Sequence, residues 1–254
     1  MIILLSPTKT QSSTIEKNDF LKTQPIEIKK ADFLLSQLNQ LSINALKKIM
    51  KISDVLACKT KSAIEIAYAH KANKVQAIFL FQGDAFQKLD APSLAEEALV
   101  FSQAHCVILS ALYGYLRPLD MVHEYRLDMK DALDVPEYRN LYQYWSETVT
   151  LGINQLLSKQ HNKVILNLAS GEYSDLIDQK KLLGKMITVE FKVHKNRTYK
   201  TVGVYAKRGR GLLARYIIKN KIDDAEKIIS FNSGGFLFSE KLSTQDNYVF
   251  ILDV

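Results

Sequence analysis

The sequence predicts a mixed α/β domain in which helices flank a central β-sheet. Short runs rich in Val, Ile and Phe recur along the 254 residues, and longer stretches with helical periodicity separate them. Two of the apolar runs are joined by a short polar segment, as in a hairpin. Hydrophobic residues make up 47% of the chain and charged residues 24%, as in ordinary globular proteins. Because no repeat or low-complexity linker divides the chain, we expect one domain over residues 1–254.

Seven apolar runs are expected to be strands. Most are continuous rather than alternating, which is typical of strands covered on both faces. The runs are Ile2–Leu5, Val75–Phe81, Cys106–Leu112, Val164–Leu168, Met186–Phe191, Tyr199–Tyr205 and Tyr248–Leu252. The polar segment His194-Lys-Asn-Arg197 lies between the fifth and sixth runs and predicts an antiparallel hairpin, so the sheet is expected to be mixed.

Six stretches have the periodicity of helices. They are Ala31–Leu41, Asn44–Met50, Thr60–Lys71, Ser93–Gln103, Leu141–Lys159 and Leu212–Lys219. Ser93 is followed three residues later by Glu96, a capping-box pattern that predicts the start of the fourth helix. The second helix and the one after it are expected to form a hairpin, with Lys47, Lys48 and Lys51 near its turn. Such lysines can hold a DNA backbone without reading its sequence, although most two-helix elements are only packing units.

The apolar runs, the cysteines and the histidines indicate the cellular compartment of the protein and whether it binds a metal or cofactor. The apolar start Ile2–Leu5 is shorter than the core of a secretory signal, and no run approaches the length that spans a bilayer. Cys58 and Cys106 are distant in sequence and have apolar neighbours, which indicates buried thiols in a reducing compartment. The five histidines lack the spacing of metal ligands. We therefore predict a cytoplasmic protein with no membrane partner, no metal site and no cofactor.

Basic residues are concentrated in one segment. Thirteen Lys or Arg residues and a single acid, Glu190, lie between Lys180 and Lys221, which gives this segment a charge of +12. The whole chain carries +7, so the other residues together carry −5. Such segregation predicts a positive face and a polyanionic partner, for which DNA is the leading candidate. The alternative is a solvated basic surface on an enzyme that binds a small acidic ligand.

Within this segment, Tyr205–Gly211 is expected to be a loop that opens the last helix. Its two glycines would let the backbone approach a bulky anion, and the helix N-terminus would add its dipole. The candidate contacts to phosphates are Lys207, Arg208, Arg210 and, on the helix, Arg215.

Three polar loops follow predicted strands. Loops at the carboxyl ends of parallel strands are where α/β sheets bind ligands, so the loops at 6–10, 113–128 and 170–173 are expected to converge on one cleft. Its candidate residues are Ser6, Lys9, Arg117, Arg126, Asn167, Ser170 and Tyr173, together with the carboxylates of Asp120, Asp128 and Glu172. Any one of them is also compatible with an ordinary turn or a structural ion pair.

The carboxylates support a second hypothesis, an enzyme acting on a nucleobase, a nucleotide or another small anionic metabolite. Glu172 or Asp128 would then be the general acid or base. Arg117 or Arg126 would hold the anion. A protein that only binds the DNA backbone does not need such carboxylates.

Together these segments resemble one family, the bacterial YaaA peroxide-stress proteins (DUF328, or UPF0246). The resemblance spans the full length and is carried by Ser6-Pro-Thr-Lys-Thr10, Phe81-Gln-Gly-Asp84, Leu109–Asp120, Tyr125–Met129, Leu141-Tyr-Gln-Tyr-Trp145, Asn167–Tyr173, Tyr205–Gly211 and Phe231-Asn-Ser233. It implies a cytoplasmic protein with a slice-shaped α/β fold that binds DNA through a positive cleft. It also implies a helix-hairpin-helix element, for which residues 41–72 are the candidate. The role it implies is protection against peroxide by limiting free iron, so that less DNA and protein is oxidised.

The sequence departs from the family pattern at several positions. Lys130 stands where the family usually has Gly, and Gly209 where it usually has Ala. Gln82 and Phe86 replace a usual Lys and Tyr. The loss of a lysine at Gln82 argues against a phosphate contact from that loop.

Overall fold

The computed structural model describes residues 1–14 and 20–254, and it confirms the mixed α/β fold class. The strands of these residues are β1 (Ile2–Leu5), β2 (Val75–Gln76), β3 (Cys106–Ser110), β4 (Gly114–Leu116), β5 (Met121–Val122), β6 (Val164–Asn167), β7 (Lys185–Lys195), β8 (Thr198–Lys200), β9 (Leu237–Phe238) and β10 (Asn247–Asp253). The helices are α1 (Ile28–Gln40), α2 (Ile43–Met50), α3 (Asp54–Tyr68), α4 (Ala77–Leu80), α5 (Asp84–Leu89), α6 (Glu96–His105), α7 (Leu141–Ser158), α8 (Gly171–Ser174) and α9 (Gly203–Lys219).

Eight of the strands form one sheet, in the order β4-β3-β1-β6-β7-β10-β9, with β8 beside β7. The five central strands, from β3 to β10, run parallel. The outer strands β4, β8 and β9 are antiparallel to their neighbours, so the expectation of a mixed sheet is confirmed. Strand β1 is buried along its whole length, as expected for a strand covered on both faces.

The order of the strands fixes where a crevice opens. The chain leaves β1 toward β3 on one side, whereas it leaves β6 toward β7 on the other. Neighbouring strands whose connections leave in opposite directions form a topological switch point, and ligands of α/β sheets bind outside their carboxyl ends. The ends of β1 and β6 are therefore the natural place for a site.

Two helix starts differ from the sequence prediction. Helix α3 begins at Asp54 rather than Thr60, because Ser53 caps it by accepting the N–H of Leu56 at 3.3 Å. Helix α6 begins at Glu96, and the prediction that Ser93 caps it is wrong. Ser93 belongs to a short 3-10 turn, and its hydroxyl donates to the Asp90 carboxylate at 2.5 Å.

The hairpin predicted around residues 194–197 is present, with the two-residue turn Asn196-Arg197 between β7 and β8. Both residues have positive φ, as tight two-residue hairpin turns require. The second predicted strand is mostly wrong, since only Val75–Gln76 is extended and Ala77–Leu80 is a helical turn. A fully buried apolar run has no periodicity that separates the two structures.

The largest correction concerns Tyr205–Gly211, which is not a loop but part of α9. The sequence prediction treated its glycines as breakers that bring the backbone to an anion. They instead allow close packing: a Cβ at Gly209 would lie 2.3 Å from the Phe191 ring, and one at Gly211 would lie 2.0 Å from the carbonyl oxygen of Ala85. This packing offsets the roughly 1 kcal/mol that each glycine costs inside a helix.

None of the helices in the described ranges has the length and apolar character needed to cross a membrane.

Candidate functional site

A cavity of about 400 Å³ opens at the carboxyl ends of β1 and β6. Its floor is the junction of the two loops that follow these strands. The Ser6 hydroxyl accepts the backbone N–H of Ser170 at 2.8 Å, and the two hydroxyl oxygens lie 3.1 Å apart. The loops at 6–10 and 170–173 therefore meet at the switch point, where parallel pairing places them.

One wall of the cavity carries a three-residue network. Lys9 Nζ lies 2.7 Å from Asp128 Oδ2, and the Tyr173 hydroxyl donates to Asp128 Oδ1 at 3.4 Å. Burial, together with the nearby carboxylates of Asp128 and Glu172, raises the pKa of Tyr173, so its hydroxyl stays protonated as a donor. All three side chains belong to residues that line the cavity.

Glu172 supplies a second carboxylate to the same cavity. Its Oε2 lies 4.0 Å from Lys130 Nζ, and its backbone carbonyl accepts the Tyr142 hydroxyl at 2.8 Å. Lys130 therefore places a cation beside the Glu172 carboxylate.

Helix α9 contributes two further cations to the cavity besides Lys9, namely Lys207 and Arg210, which are spaced i, i+3 on one face. The Nε of Arg210 is buried and has no hydrogen-bond partner, and burial lowers the pKa of this guanidinium. Within the described residues neither side chain has a carboxylate partner. Two other arginines of the helix are paired, Arg208 with Asp84 at 3.9 Å and Arg215 with Asp90 at 3.3 Å.

The remaining wall, Gly83–Phe86, was not among the sequence-predicted site residues. The signal was present, because Phe81-Gln-Gly-Asp84 is one of the segments that carry the resemblance. Gln82 itself does not line the cavity, and its side-chain amide donates to the carbonyl of Phe79 at 2.7 Å.

Arg117 lies outside the predicted cleft. Strand β4 is antiparallel to β3 and carries the chain back to the amino edge of the sheet, where Arg117 lines a different cavity with His105 and Asp223. Its guanidinium lies 2.8 Å from the buried Asp120 carboxylate and also donates to the carbonyl of Gln24. Arg117 and Asp120 therefore form a structural lock at this edge.

Arg126 and Asn167 also lie off the main cavity. Arg126 lines a neighbouring cavity with Lys9 and Asp128. Burial raises the pKa of Asp131, and the charge of Arg126 opposes this rise. The Asn167 side chain is buried and accepts the N–H of Ala169 at 3.0 Å, which shapes the loop after β6.

Some of the predicted phosphate-contact residues are held by other parts of the protein, whereas others are exposed. Arg215 is held inside the fold by the carbonyls of Leu89 and Asp90 and by Ser93. On the α2–α3 hairpin, Lys47 pairs with Asp54 at 2.7 Å, whereas Lys48 and Lys51 are exposed. Lys51 has the left-handed conformation that ends α2.

Comparison with known proteins identifies the family. The family model described as "Peroxide stress protein YaaA" matches residues 1–242, nearly the whole chain. The chain belongs to the YaaA peroxide stress protein family. The cavity residues therefore lie within the part of the chain that defines this family.

Relatives within the family are similar over their whole length. A UPF0246 protein of Francisella tularensis subsp. novicida is 38% identical over 250 residues, which is 97% of this chain and 98% of the relative. A UPF0246 protein of Legionella pneumophila is 38% identical over 261 residues, covering 99% of each chain. A third, from Francisella philomiragia, is 37% identical over 97% of this chain and 98% of its own.

Proposed function

We propose that this member of the YaaA family acts in the cytoplasm during peroxide stress by binding the phosphate backbone of DNA, with little sequence preference. The observation that carries the proposal is the placement of cations without carboxylate partners. Among the described residues, such cations include Lys207 and Arg210 at the cavity and three exposed cations on the β7–β8 hairpin.

The hairpin projects from the edge of the sheet at which the cavity opens. Thr188 of β7 lies opposite Asn167, the last residue of β6, and β7 continues for seven residues to Lys195. At about 3.3 Å per residue this extension reaches roughly 23 Å beyond β6. Lys195, Arg197 and Lys200 are exposed near its end. Since phosphates are spaced along a duplex, the cations at the cavity and those on the β7–β8 hairpin can contact one DNA backbone together.

Ion pairs reduce the number of uncompensated cations in the basic segment, residues 180–221. Six of its thirteen cations form ion pairs: Lys181, Lys185, Lys192, Arg208, Arg215 and Lys221. Five of the six acids in these pairs lie outside the segment. The charge that stays uncompensated is therefore smaller than +12 and is concentrated on the hairpin and at the cavity. This distribution supports a defined contact surface rather than a uniformly basic face.

The experiment is a binding titration of duplex and bubble DNA, measured by fluorescence anisotropy at salt concentrations from about 50 to 200 mM. Binding to phosphates releases counterions, so affinity should fall linearly on a log–log plot against salt. Absence of affinity at the lowest salt, or affinity that does not change with salt, contradicts the proposal.

The family resemblance extends the proposal to iron. DNA binding would accompany a lower level of free intracellular iron, so that less DNA and protein is oxidised. In a strain lacking this gene, whole-cell EPR of chelated iron under peroxide should show more free iron than in the parent. Complementation with the wild-type chain should restore the parental level, whereas a DNA-binding-deficient variant should not. Equal restoration by both would separate the iron effect from DNA binding.

A specific observation also favours a second candidate, an enzyme acting on a nucleotide or another small anion. Asp128 and Glu172 line the same cavity as Lys207 and Arg210, and its volume suits a small molecule. One carboxylate would serve as general acid or base, and Arg210 would hold the anion. The test is turnover of a nucleotide mixture followed by mass spectrometry. Activity that is lost in both D128N and E172Q supports the enzyme, and the absence of any turnover by the wild-type protein refutes it.

A further inference from the structure

The three arginines of helix α9 differ in their ion pairing. Arg208 and Arg215 have carboxylate partners at 3.9 and 3.3 Å. Arg210 has none in the described part of the chain, although its Nε is buried without an acceptor. A buried charged donor without an acceptor loses its hydration and gains nothing in return, which is a costly arrangement. Because Arg210 also lines the cavity, an anion bound there would be a counter-ion for its guanidinium, and Lys207, one turn earlier on the same face, would share its charge.

The size of the cavity limits what can enter. At about 400 Å³ it lies in the range of pockets for single small molecules, roughly 300–1,000 Å³. A duplex is too wide to enter, whereas one nucleotide fits such a pocket when it leaves the stack.

The rest of the lining indicates more than a phosphate. Three carboxylates, Asp84, Asp128 and Glu172, line the cavity together with three cations, and the carboxylates would repel a bare anion. Carboxylates accept hydrogen bonds from the amino groups of bases. Phe86 and Tyr173 are also among the residues that line the cavity, and aromatic side chains are the usual partners of unstacked bases. A ligand with an anionic end and an N–H-bearing aromatic end satisfies both parts of this lining.

We propose that the cavity is a site for one nucleotide, with its phosphate on Arg210 and Lys207 and its base toward the Tyr173, Asp128 and Glu172 wall. This inference rests on the proposed DNA binding for one of its two sources, a nucleotide extruded from a bound strand. The other source is a free nucleoside monophosphate. Both present the same phosphate and base to the cavity, so the test has one arm for each.

The first arm uses duplex DNA with a central 2-aminopurine, whose fluorescence rises when the base leaves the stack. It is measured at a protein concentration that saturates the duplex for each variant. The second arm is calorimetric titration of the free deoxynucleoside monophosphates, with inorganic phosphate as the comparison. The variants are R210M, which removes the guanidinium but keeps an unbranched side chain, and A85W and T8W, which narrow the cavity without changing charge. K219M is the matched control, because Lys219 is an exposed cation of α9 that does not line the cavity.

The expected result is a fluorescence rise, or saturable binding of one monophosphate per chain, in the wild-type protein and in K219M. R210M should weaken it about tenfold or more, since it loses a charge-assisted hydrogen bond. A85W or T8W should abolish it. A signal only in the second arm supports the site and identifies its source as free nucleotide. It does so even if duplex DNA does not bind and the proposed function fails.

Two results overturn the inference. The first is saturated duplex binding with unchanged 2-aminopurine fluorescence and no monophosphate binding, which leaves the proposed DNA binding intact. The second is binding of inorganic phosphate as tight as that of every monophosphate, which removes the role of the base.

Discussion

Ser6 Oγ accepts the backbone N–H of Ser170 at 2.8 Å, and this hydrogen bond joins the loop after β1 to the loop after β6. The two serines are 164 residues apart in sequence, yet the parallel pairing of β1 with β6 brings them together. The bond forms the floor of the cavity, so the shape of the site depends on it.

Replacing Ser6 by Ala should destabilise the protein by about 1–2 kcal/mol, because the partly buried N–H of Ser170 loses its acceptor. The matched variant S170A keeps that N–H and its acceptor, and it should cost less. Urea unfolding followed by circular dichroism measures both. Equal costs for the two variants would show that the hydrogen bond does not stabilise the junction.

Gly211 tests the packing of α9 against α5. An added Cβ would lie 2.0 Å from the Ala85 carbonyl oxygen, so G211A should lower the free energy of unfolding by about 1–3 kcal/mol. Gly203, at the start of the same helix, has no atom within 4 Å of the added Cβ. G203A should therefore be neutral or stabilising by up to about 1 kcal/mol. A stable G211A would mean that the helices are not in this close contact.

Arg117 tests the lock at the amino edge of the sheet. Its guanidinium pairs with Asp120, which is only 1% exposed, so R117M leaves a buried carboxylate without its counter-ion. The expected cost is about 3 kcal/mol in thermal or chemical unfolding. The control R139M removes an exposed arginine and should stay within about 0.5 kcal/mol of the wild type. The DNA affinity of folded R117M should equal that of the wild type. A large loss of affinity would show that Arg117 belongs to the DNA-binding surface.

The free energy of unfolding should fall as the pH is lowered, and the titration of His123 should account for part of this fall. Burial lowers the pKa of this imidazole, whose Nδ1 lies 2.8 Å from the carbonyl oxygen of Glu124. Lys74 opposes its protonation and Asp32 favours it. The unfolded state then binds the proton more readily, so stability is full above the ordinary value near 6.5 and declines as the pH drops below it.

The variant H123N keeps a donor for that carbonyl but cannot titrate, so its unfolding free energy should depend less on pH below about 6.5. The exposed His161 provides the control H161N, which should follow the wild-type profile. Some dependence should remain in H123N, because burial also lowers the pKa of His105. An unchanged profile in H123N would show that His123 is not the group that titrates.

The sequence allowed the fold class and the meeting of two loops to be predicted. Continuous apolar runs predict buried parallel strands, and such strands bring their carboxyl ends to one edge. The position of Arg117 could not be predicted, because β3 and β4 are both buried and the turn between them has no polar signal. A reversal hidden in an apolar run moves the residues directly after it, here Arg117 and Asp120, to the other edge of the sheet.

The extent of α9 was missed for a related reason. Gly209 and Gly211 have low intrinsic helix propensity, and only the tertiary contacts with Phe191 and Ala85 show why glycine is needed there. The same contacts place Arg210 at the cavity. Likewise, the acids that neutralise Arg208 and Lys221 are far away in sequence, so the +12 segment overstated the free charge.

DNA binding by the cations of α9 is the central claim, and charge reversal tests it most directly. The variant K207E/R208E/R210E is compared with K159E/K227E/K241E, which changes net charge equally but alters exposed lysines that do not line the cavity. Both are titrated with duplex DNA at about 50 mM salt. We predict that the first variant loses binding while its circular dichroism stays native, and that the second weakens only slightly. Equal loss in both variants would contradict a local contact at α9, and undiminished binding in the first would refute it.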